Sequence, residues 1–205
     1  MVEAFLLAHS LAGRPEVAAR WDDESACQDL SVGGLTVHLL RQAAHTVRAL
    51  IAPPPLDPPI GLLEHYERAE WTSSAHDDPA NVSIRTDDNR RAEVGPISVL
   101  AQSAAALARL PGLIDRRRDP DWVHIPWQGW NLATEDFLVT RSMEVLVHSD
   151  GLASSVQVEA PPFPYSVTVR VVDLLSSLSI ERHGTVNVIR ALSRPQRAPR
   201  SISAF

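Results

Sequence analysis

Apolar residues recur at helical spacing along most of the chain, and segments that alternate between apolar and polar residues are few and short. The most strand-like run, SVTVRVV at residues 166–172, lies inside a longer helical pattern. The pattern predicts an all-α protein, a bundle of four main helices with extra short helices, formed by a single domain over residues 1–205. The inward face of its first helix is predicted to contain Val2, Phe5, Leu6 and His9.

Capping residues and prolines indicate where the other helices begin and end. The stretch PPPLDPP at residues 53–59 ends a long helix, because proline cannot continue one. Asp78 is typical of an N-cap. Pro96 predicts a kink or break in the helix that follows, which Pro111 and Gly112 then end. The remaining helices are predicted over residues 31–52, 60–72, 78–110, 134–155, 166–183 and 186–192.

A tryptophan-rich segment, residues 116–130, is predicted to be a long extended connection between helices. It contains Trp122, Trp127 and Trp130, three of the five tryptophans in the chain. Long connections in compact domains tend to be functional, so these rings are candidates to wall a pocket, with plain packing as the alternative. The three arginines at residues 116–118 are expected to be solvated.

Composition narrows the class of partner. A net charge of -6 and a pI near 5.7 argue against a broad nucleic-acid surface, although all 19 basic residues are arginine. The single cysteine, Cys27, excludes an intrachain disulfide and a multi-cysteine zinc site, and we expect it to be a packing residue. No run reaches the ~18 consecutive apolar residues of a membrane span, and the apolar start lacks the basic residues of a signal peptide. We therefore expect a cytoplasmic protein with a small-molecule substrate and no membrane partner.

The segment 137–155 carries the residues most suggestive of chemistry. Glu144 and His148 are four positions apart, which places their Cβ atoms ~5–6 Å apart on one helix face. The residues around them are mainly apolar, so the helix is expected to be buried, and a buried carboxylate is costly unless it is paired or binds a cation. Arg141 on the same face offers an ion pair as one explanation, and a metal ion bound by Glu144 and His148 is the other.

His38, in the apolar run LTVHLL, is the candidate for a third ligand, with packing as its alternative role. Two imidazoles and one carboxylate suit Zn²⁺, or another divalent metal such as Ni, Mn, Fe or Co, and leave positions open for water or substrate. His45 lies on the same face as His38, where we expect it to pack or to meet solvent. Groups expected to orient the ligands are Thr140, Gln42 and Asp150. The histidines without metal-type spacing are His65, His76, His124 and His183.

Three segments resemble one protein family. Residues 31–42, SVGGLTVHLLRQ, are similar to its helix with a metal-binding histidine. Residues 125–155 resemble its tryptophan loop and the helix that carries its Thr-Arg, Glu and His residues, and residues 181–205 resemble the closing segment of its shorter members. Over essentially its whole length, the chain resembles the N-terminal metal-binding domain of the DinB-like, mycothiol-dependent maleylpyruvate isomerases.

The resemblance implies a four-helix bundle, sometimes a homodimer, in which a divalent metal, usually zinc, is held by His38, Glu144 and His148. It also implies that this metal activates the low-molecular-weight thiol mycothiol for isomerisation or S-transfer on a small electrophile, since the thiolate is the reactive form. Arg141 is then a candidate both for catalysis and, together with Trp127, for binding the thiol.

One departure from the family pattern concerns an acid after the last ligand. The family usually has Asp at the position of Gly151, whereas in this chain Asp150 comes one residue earlier and is the candidate to replace it in catalysis. Two other functions stay open on the sequence alone. One is a thiol-independent metal enzyme, such as a hydrolase, lyase or cyclase of specialised metabolism, and the other is a non-catalytic metal-binding bundle.

Overall fold

A computed structural model of the protein describes residues 1–72 and 77–205, and the described chain is mostly helical, which confirms the predicted all-α character. Its helices are α1 (Val2–Ala12), α2 (Pro15–Ala19), α3 (Val32–Ile51), α4 (Leu62–Arg68), α5 (Pro79–Ala92), α6 (Pro96–Leu107), α7 (Leu110–Ile114), α8 (Thr134–Val156), α9 (Tyr165–His183) and α10 (Thr185–Ser193). Two strands are β1 (Trp122–Ile125) and β2 (Trp130–Ala133), and short 3-10 turns cover Glu70–Thr72 and Pro195–Arg197.

Helix α3 lies at the centre of the fold, packed against α1, α5, α6, α7 and α8. It begins where the side chain of Ser31 accepts a hydrogen bond from the backbone N–H of Gly34, the N-cap arrangement that serine favours. Its start is held close to Trp21, because a Cβ on Gly33 would lie 2.6 Å from the indole ring. Leu35 and Leu39 are almost fully buried, and each contributes about 1.5–3 kcal/mol of apolar burial to the fold.

The other end of α3 is held by Arg118. Its guanidinium donates hydrogen bonds to the carbonyl oxygens of Leu50 (2.6 Å) and Ala52 (3.1 Å), and also to that of Trp122 in β1 (3.1 Å). The last carbonyls of a helix lack partners within the helix, so a cation at this end satisfies them. The prediction of a solvated run at residues 116–118 is therefore wrong for Arg118, which ties α3 to the strands.

The tryptophan-rich segment forms an antiparallel hairpin of β1 and β2 rather than a plain extended connection. Trp122 pairs with Ala133 and Ile125 with Trp130, and the turn between the strands includes Gly129 at a φ of 83°, which suits glycine. The hairpin corrects the predicted extended connection and leaves the all-α class in place. Each strand has only four residues, too few for an alternating pattern to stand out in the sequence.

Two helix predictions also change. The single helix expected over residues 78–110 is two helices, α5 and α6, separated at Gly95, whose φ is 82°. Pro96 begins α6, and Pro111 lies in the first turn of α7 instead of ending a helix, because proline is tolerated there. The predicted Asp78 cap is confirmed, since its side chain accepts from the N–H of Ala80.

The inward face of α1 differs from the predicted one. Phe5 is buried, but Leu6 is 51% exposed and His9 is only half-buried, with its Nδ1 3.3 Å from the hydroxyl of Ser103. Small side chains take the inner positions, which lets α1 approach its neighbours closely. The buried residues of this face are Ala4, Phe5, Ala8, Leu11 and Ala12.

One stretch of the described chain, Pro96–Ile114, passes the length and composition test for a membrane span, with a mean hydropathy of 1.4. The sequence pattern did not predict this stretch. Only 22% of this stretch is buried in the structure, and a match of one such stretch in length and composition does not by itself indicate a membrane span. In this fold the stretch comprises α6 and α7, and Val99, Ser103, Leu107 and Leu110 are buried against the rest of the bundle.

Replacing Arg118 tests the connection between α3 and the hairpin. Arg118→Ala removes three hydrogen bonds to backbone carbonyls, so we expect the free energy of unfolding in urea to fall by ~1–3 kcal/mol. Arg117→Ala is the matched control, because Arg117 is exposed and such changes alter stability by about 0.5 kcal/mol or less. Equal unfolding midpoints for the two variants would show that the Arg118 bonds add no stability.

Candidate metal centre

The facing sides of α3 and α8 bring His38, Glu144 and His148 together. One ligand atom from each residue lies within 4.8 Å of the others. Nε2 of His148 lies 3.0 Å from Oε2 of Glu144, and Nε2 of His38 lies 3.6 Å from the same oxygen. The two imidazole rings meet edge to face with their centroids 4.5 Å apart. The structure thus brings together Glu144 and His148, which the spacing picked out, and His38, the candidate for a third ligand.

The spacing of these atoms fits a divalent cation. Ligand atoms at ~2.0–2.1 Å from a tetrahedral metal are about 3.3 Å from one another, between the two observed distances. Two imidazole nitrogens and one carboxylate oxygen form a donor set that suits zinc and other first-row divalent metals. All three side chains retain some exposure, 19%, 15% and 22% for His38, Glu144 and His148, and all three line a cavity. The cluster could therefore hold a metal ion with a coordination position open to the cavity.

Asp88 of α5 orients His38, and the sequence pattern did not single it out. Its side chain is fully buried; Oδ2 lies 2.7 Å from Nδ1 of His38, and Oδ1 accepts a hydrogen bond from Arg41. A carboxylate on one ring nitrogen fixes the imidazole so that the other nitrogen faces the ligand site. In the sequence Asp88 lies in the polar run DDNRR, where it looks the same as Asp87, which instead bonds to Arg90 and Arg91 near the surface.

Cys27 lies beside His148, the other histidine of the cluster. The sequence predicted only that this cysteine is a packing residue. A Cβ on Gly151 would lie 3.4 Å from its Sγ, so the thiol fills the space next to this glycine. Nδ1 of His148 is buried and has no hydrogen bond of regular geometry among the described residues. Burial lowers the pKa of His148, but the Cys27 thiol and the Glu144 carboxylate outweigh it and raise that pKa. A Cβ at position 151 would be in ordinary van der Waals contact with Cys27.

Charge in the cluster is balanced by its own members. Burial would raise the pKa of Glu144, but hydrogen bonds from His148 and His38 and the charge of Arg141 hold that pKa well below its usual range. Burial would lower the pKa of His38, but Asp88 and Glu144 outweigh it and raise that pKa to about 9. Without a cation, a proton on the His38 imidazole therefore offsets the charge of the buried carboxylates.

Arg141 does not form the ion pair with Glu144 that was one explanation of the motif. Its Nη1 donates to Oε1 of Gln42 (2.6 Å) and its Nε to the hydroxyl of Thr140 (3.1 Å). Its guanidinium carbon lies 5.9 Å from the centroid of the Trp127 ring, within reach of a cation–π interaction. Gln42 and Thr140 hence position Arg141, and Gln42 also donates from its Nε2 to the backbone carbonyl of His38 (3.0 Å).

Asp150 is the predicted site residue that the structure places elsewhere. It lies two positions after His148 on α8, which turns it about 200° around the helix, and it is exposed. It is not among the residues that line the cavity in the described part of the chain. The predicted catalytic and ligand-orienting roles for Asp150 therefore have no support in the geometry.

The cavity beside the cluster has a volume of about 500 Å³ and is rich in arginine. Glu144 is the only acidic side chain that lines it among the described residues. Arg41 is paired with Asp88 and Arg85 with Asp29, so Arg48 and Arg141 are the arginines whose charge favours an anionic occupant. The arginines of the cavity are Arg41, Arg48, Arg85 and Arg141, and its large aromatic side chains are Tyr66, Trp71 and Trp127.

Of the other histidines, His45 and His65 both line this cavity, which spacing alone did not reveal. Nε2 of His45 accepts from Nε of Arg41 at 3.0 Å, and burial together with neighbouring arginines lowers its pKa to about 4. His124 bonds to Asn131, and His183 donates to the carbonyl of Ser203. The remaining histidine of this group, His76, lies outside the described residues.

Comparison with protein-family profiles, with curated proteins and with solved structures finds no match to this chain. The resemblance to the mycothiol-dependent isomerases stays a prediction, and so does the DinB-like arrangement of the bundle. The distances within the cluster of His38, Glu144 and His148 do not depend on either of these two predictions.

Asp88→Asn tests the orientation of His38. The amide carries no charge and holds the imidazole less firmly, so we expect zinc affinity to fall by about 10–100-fold. Asp87→Asn is the matched control, since Asp87 lies outside the cluster, and it should bind zinc as the wild type does. Competition with a chromophoric chelator measures both. Wild-type affinity in Asp88→Asn would show that this carboxylate does not support the site.

The pH dependence of metal binding follows from the raised pKa of His38. At pH 7 this imidazole is protonated, because its pKa is about 9, and a metal must displace that proton. Zinc affinity should therefore rise by about tenfold per pH unit between pH 7 and 9, with at least one proton released per ion bound. Calorimetry in buffers of different ionisation enthalpy counts the protons. An affinity that is constant over this range would contradict a protonated His38 at neutral pH.

Proposed function

We propose that this protein is a metal-dependent enzyme that uses a low-molecular-weight thiol, mycothiol, for isomerisation or S-transfer on a small electrophilic substrate. The observation that carries the proposal is the placement of a two-histidine, one-carboxylate cluster at the edge of an arginine-rich cavity. A purely structural metal site is closed by four protein ligands, whereas this cluster offers three. Zinc is the metal that the donor set favours.

His38, Glu144 and His148 would hold the ion, and Asp88 keeps the imidazole of His38 in place. When bound, a divalent cation lowers the pKa of a coordinated thiol, which favours the nucleophilic thiolate at neutral pH. A thiol bound there would supply a sulfur nucleophile, either for reversible addition to a carbon–carbon double bond in an isomerisation or for a lasting sulfur–carbon bond in an S-transfer.

Arg141 and Trp127 are the residues that we assign to binding the thiol or the substrate. Arg141 is held rigidly by Gln42 and Thr140, so its guanidinium presents a fixed positive charge at the cavity wall. A guanidinium fork suits a carboxylate on the incoming molecule. Trp127 is 43% exposed beside it and offers an apolar surface for the uncharged part of that molecule.

The proposal also covers the arrangement of the helices, the cellular compartment and the oligomeric state of the protein. The two ligand-bearing helices, α3 and α8, pack against each other and against α1, as a DinB-like four-helix bundle requires. A cytoplasmic setting and a homodimer belong to the same proposal, and they rest on the resemblance in the sequence.

Cobalt substitution tests both the metal and the thiol. Purified protein should bind about one divalent ion per chain, and mycothiol added to the cobalt form should produce a thiolate-to-cobalt charge-transfer band. Arg141→Ala should weaken the response to mycothiol, whereas Arg90→Ala, a change on the surface, should leave it unchanged. His38→Ala should abolish the cobalt spectrum.

Two results would count against this function. Less than about a tenth of an equivalent of metal, not restored by zinc or nickel, would rule out a metal enzyme of this type. A cobalt spectrum that no thiol alters, together with turnover of a substrate without thiol, would favour the thiol-independent enzyme.

A further inference from the structure

A buried hydroxyl at the cavity wall has no hydrogen-bond partner within residues 1–72 and 77–205. The Tyr66 side chain is 2% exposed, lines the cavity, and has a hydroxyl oxygen without a hydrogen bond among the described residues. Native proteins rarely leave a buried polar atom unsatisfied unless a water or a ligand binds it. Burial raises the pKa of Tyr66 well above its usual range, so the hydroxyl stays protonated and can donate a hydrogen bond.

His65, the preceding residue in the chain, is fixed as a second donor. Nε1 of Trp130 donates to Nδ1 of His65 at 3.0 Å, so a neutral imidazole must carry its own proton on Nε2. Burial and the charge of Arg141 lower the pKa of His65 to about 4, which keeps the ring neutral at pH 7. The side chain is 3% exposed and lines the same cavity as Tyr66.

Arg141 adds a positive charge to this wall. Its Nε and Nη1 are occupied by Thr140 and Gln42, whereas Nη2 has no acceptor among residues 1–72 and 77–205. Arg141, His65 and Tyr66 all line the same cavity. The wall therefore combines two neutral donors with one cation.

We propose that His65, Tyr66 and Arg141 form a donor surface that binds a carboxylate group of the molecule in the cavity. A carboxylate has two oxygens that accept several hydrogen bonds at once, and its charge complements the guanidinium. A cationic group would be repelled by Arg141, and a neutral carbonyl would gain less from it. The part of this inference that names the substrate as a carboxylate rests on the proposed function.

Tyr66→Phe removes the donor and leaves the ring. Benzoate is the probe, because its carboxylate suits the donors and its ring suits the aromatic lining of the cavity. In calorimetric titrations the variant should bind benzoate at least about tenfold more weakly than the wild type does, as expected for loss of a hydrogen bond to a charged group. Tyr165→Phe is the matched control, since Tyr165 is 82% exposed on α9, and its benzoate affinity should equal that of the wild type.

Thermal unfolding separates this role from a structural one. The hydroxyl of Tyr66 makes no protein hydrogen bond among the described residues, so the ligand-free Tyr66→Phe variant should melt at or above the wild-type temperature. A structural hydroxyl would instead lower the melting temperature on removal. Trp130→Phe, which deletes the N–H that fixes His65, should reduce the Nε2–H tautomer in ¹⁵N spectra and also weaken benzoate binding.

The titration is carried out on protein treated with a chelator and on zinc-loaded protein. Weakening in the chelator-treated form supports the donor surface, because no metal contributes to binding there. Unchanged affinity in that form, or no binding of benzoate to the wild type, overturns it. The zinc content of the loaded form reports separately on the metal centre, so failure of one proposal is distinguishable from failure of the other.

Discussion

The carboxylate of Glu144 is the constraint on which this structure depends. It is placed between two helices where water is scarce, and burying a charge in such a place is unfavourable unless opposite charge and hydrogen bonds surround it. His38 and His148 supply both, either as protonated imidazoles or as co-ligands of a cation. His38 comes from α3, whereas Glu144 and His148 come from α8. The charge of Glu144 is therefore fully balanced only when these two helices pack against each other.

Residues outside the cluster hold its members in place. Asp88 fixes His38, Arg41 compensates the charge of Asp88, and α5 is thereby tied to α3 at the level of the site. On the other side, Cys27 fills the space that Gly151 leaves beside α8. A Cβ at that position would be in ordinary van der Waals contact with the thiol, so Cys27 and residue 151 pack directly against each other.

Two arginines, Arg118 and Arg141, differ in what their guanidinium groups bind. Arg118 donates its hydrogen bonds to backbone carbonyls at the end of α3, so its charge stabilises the fold. Arg141 is held by two side chains, Gln42 and Thr140, and its guanidinium also lines the cavity. Both lie in segments rich in aromatic or apolar residues, and sequence position alone does not distinguish the two roles.

Sequence by itself predicted most of the helices and singled out Glu144 and His148, because both depend on local periodicity: four positions separate the two residues, and apolar neighbours predict their burial. Partners distant in the chain were decided only by the tertiary structure. Asp88 is 50 residues from His38, and Trp130 is 65 residues from His65. No local pattern separates a buried Asp88 from an exposed Asp87, or a cavity-lining Tyr66 from an ordinary core tyrosine, because the packing of α3, α5 and α8 and the docking of the hairpin create those environments.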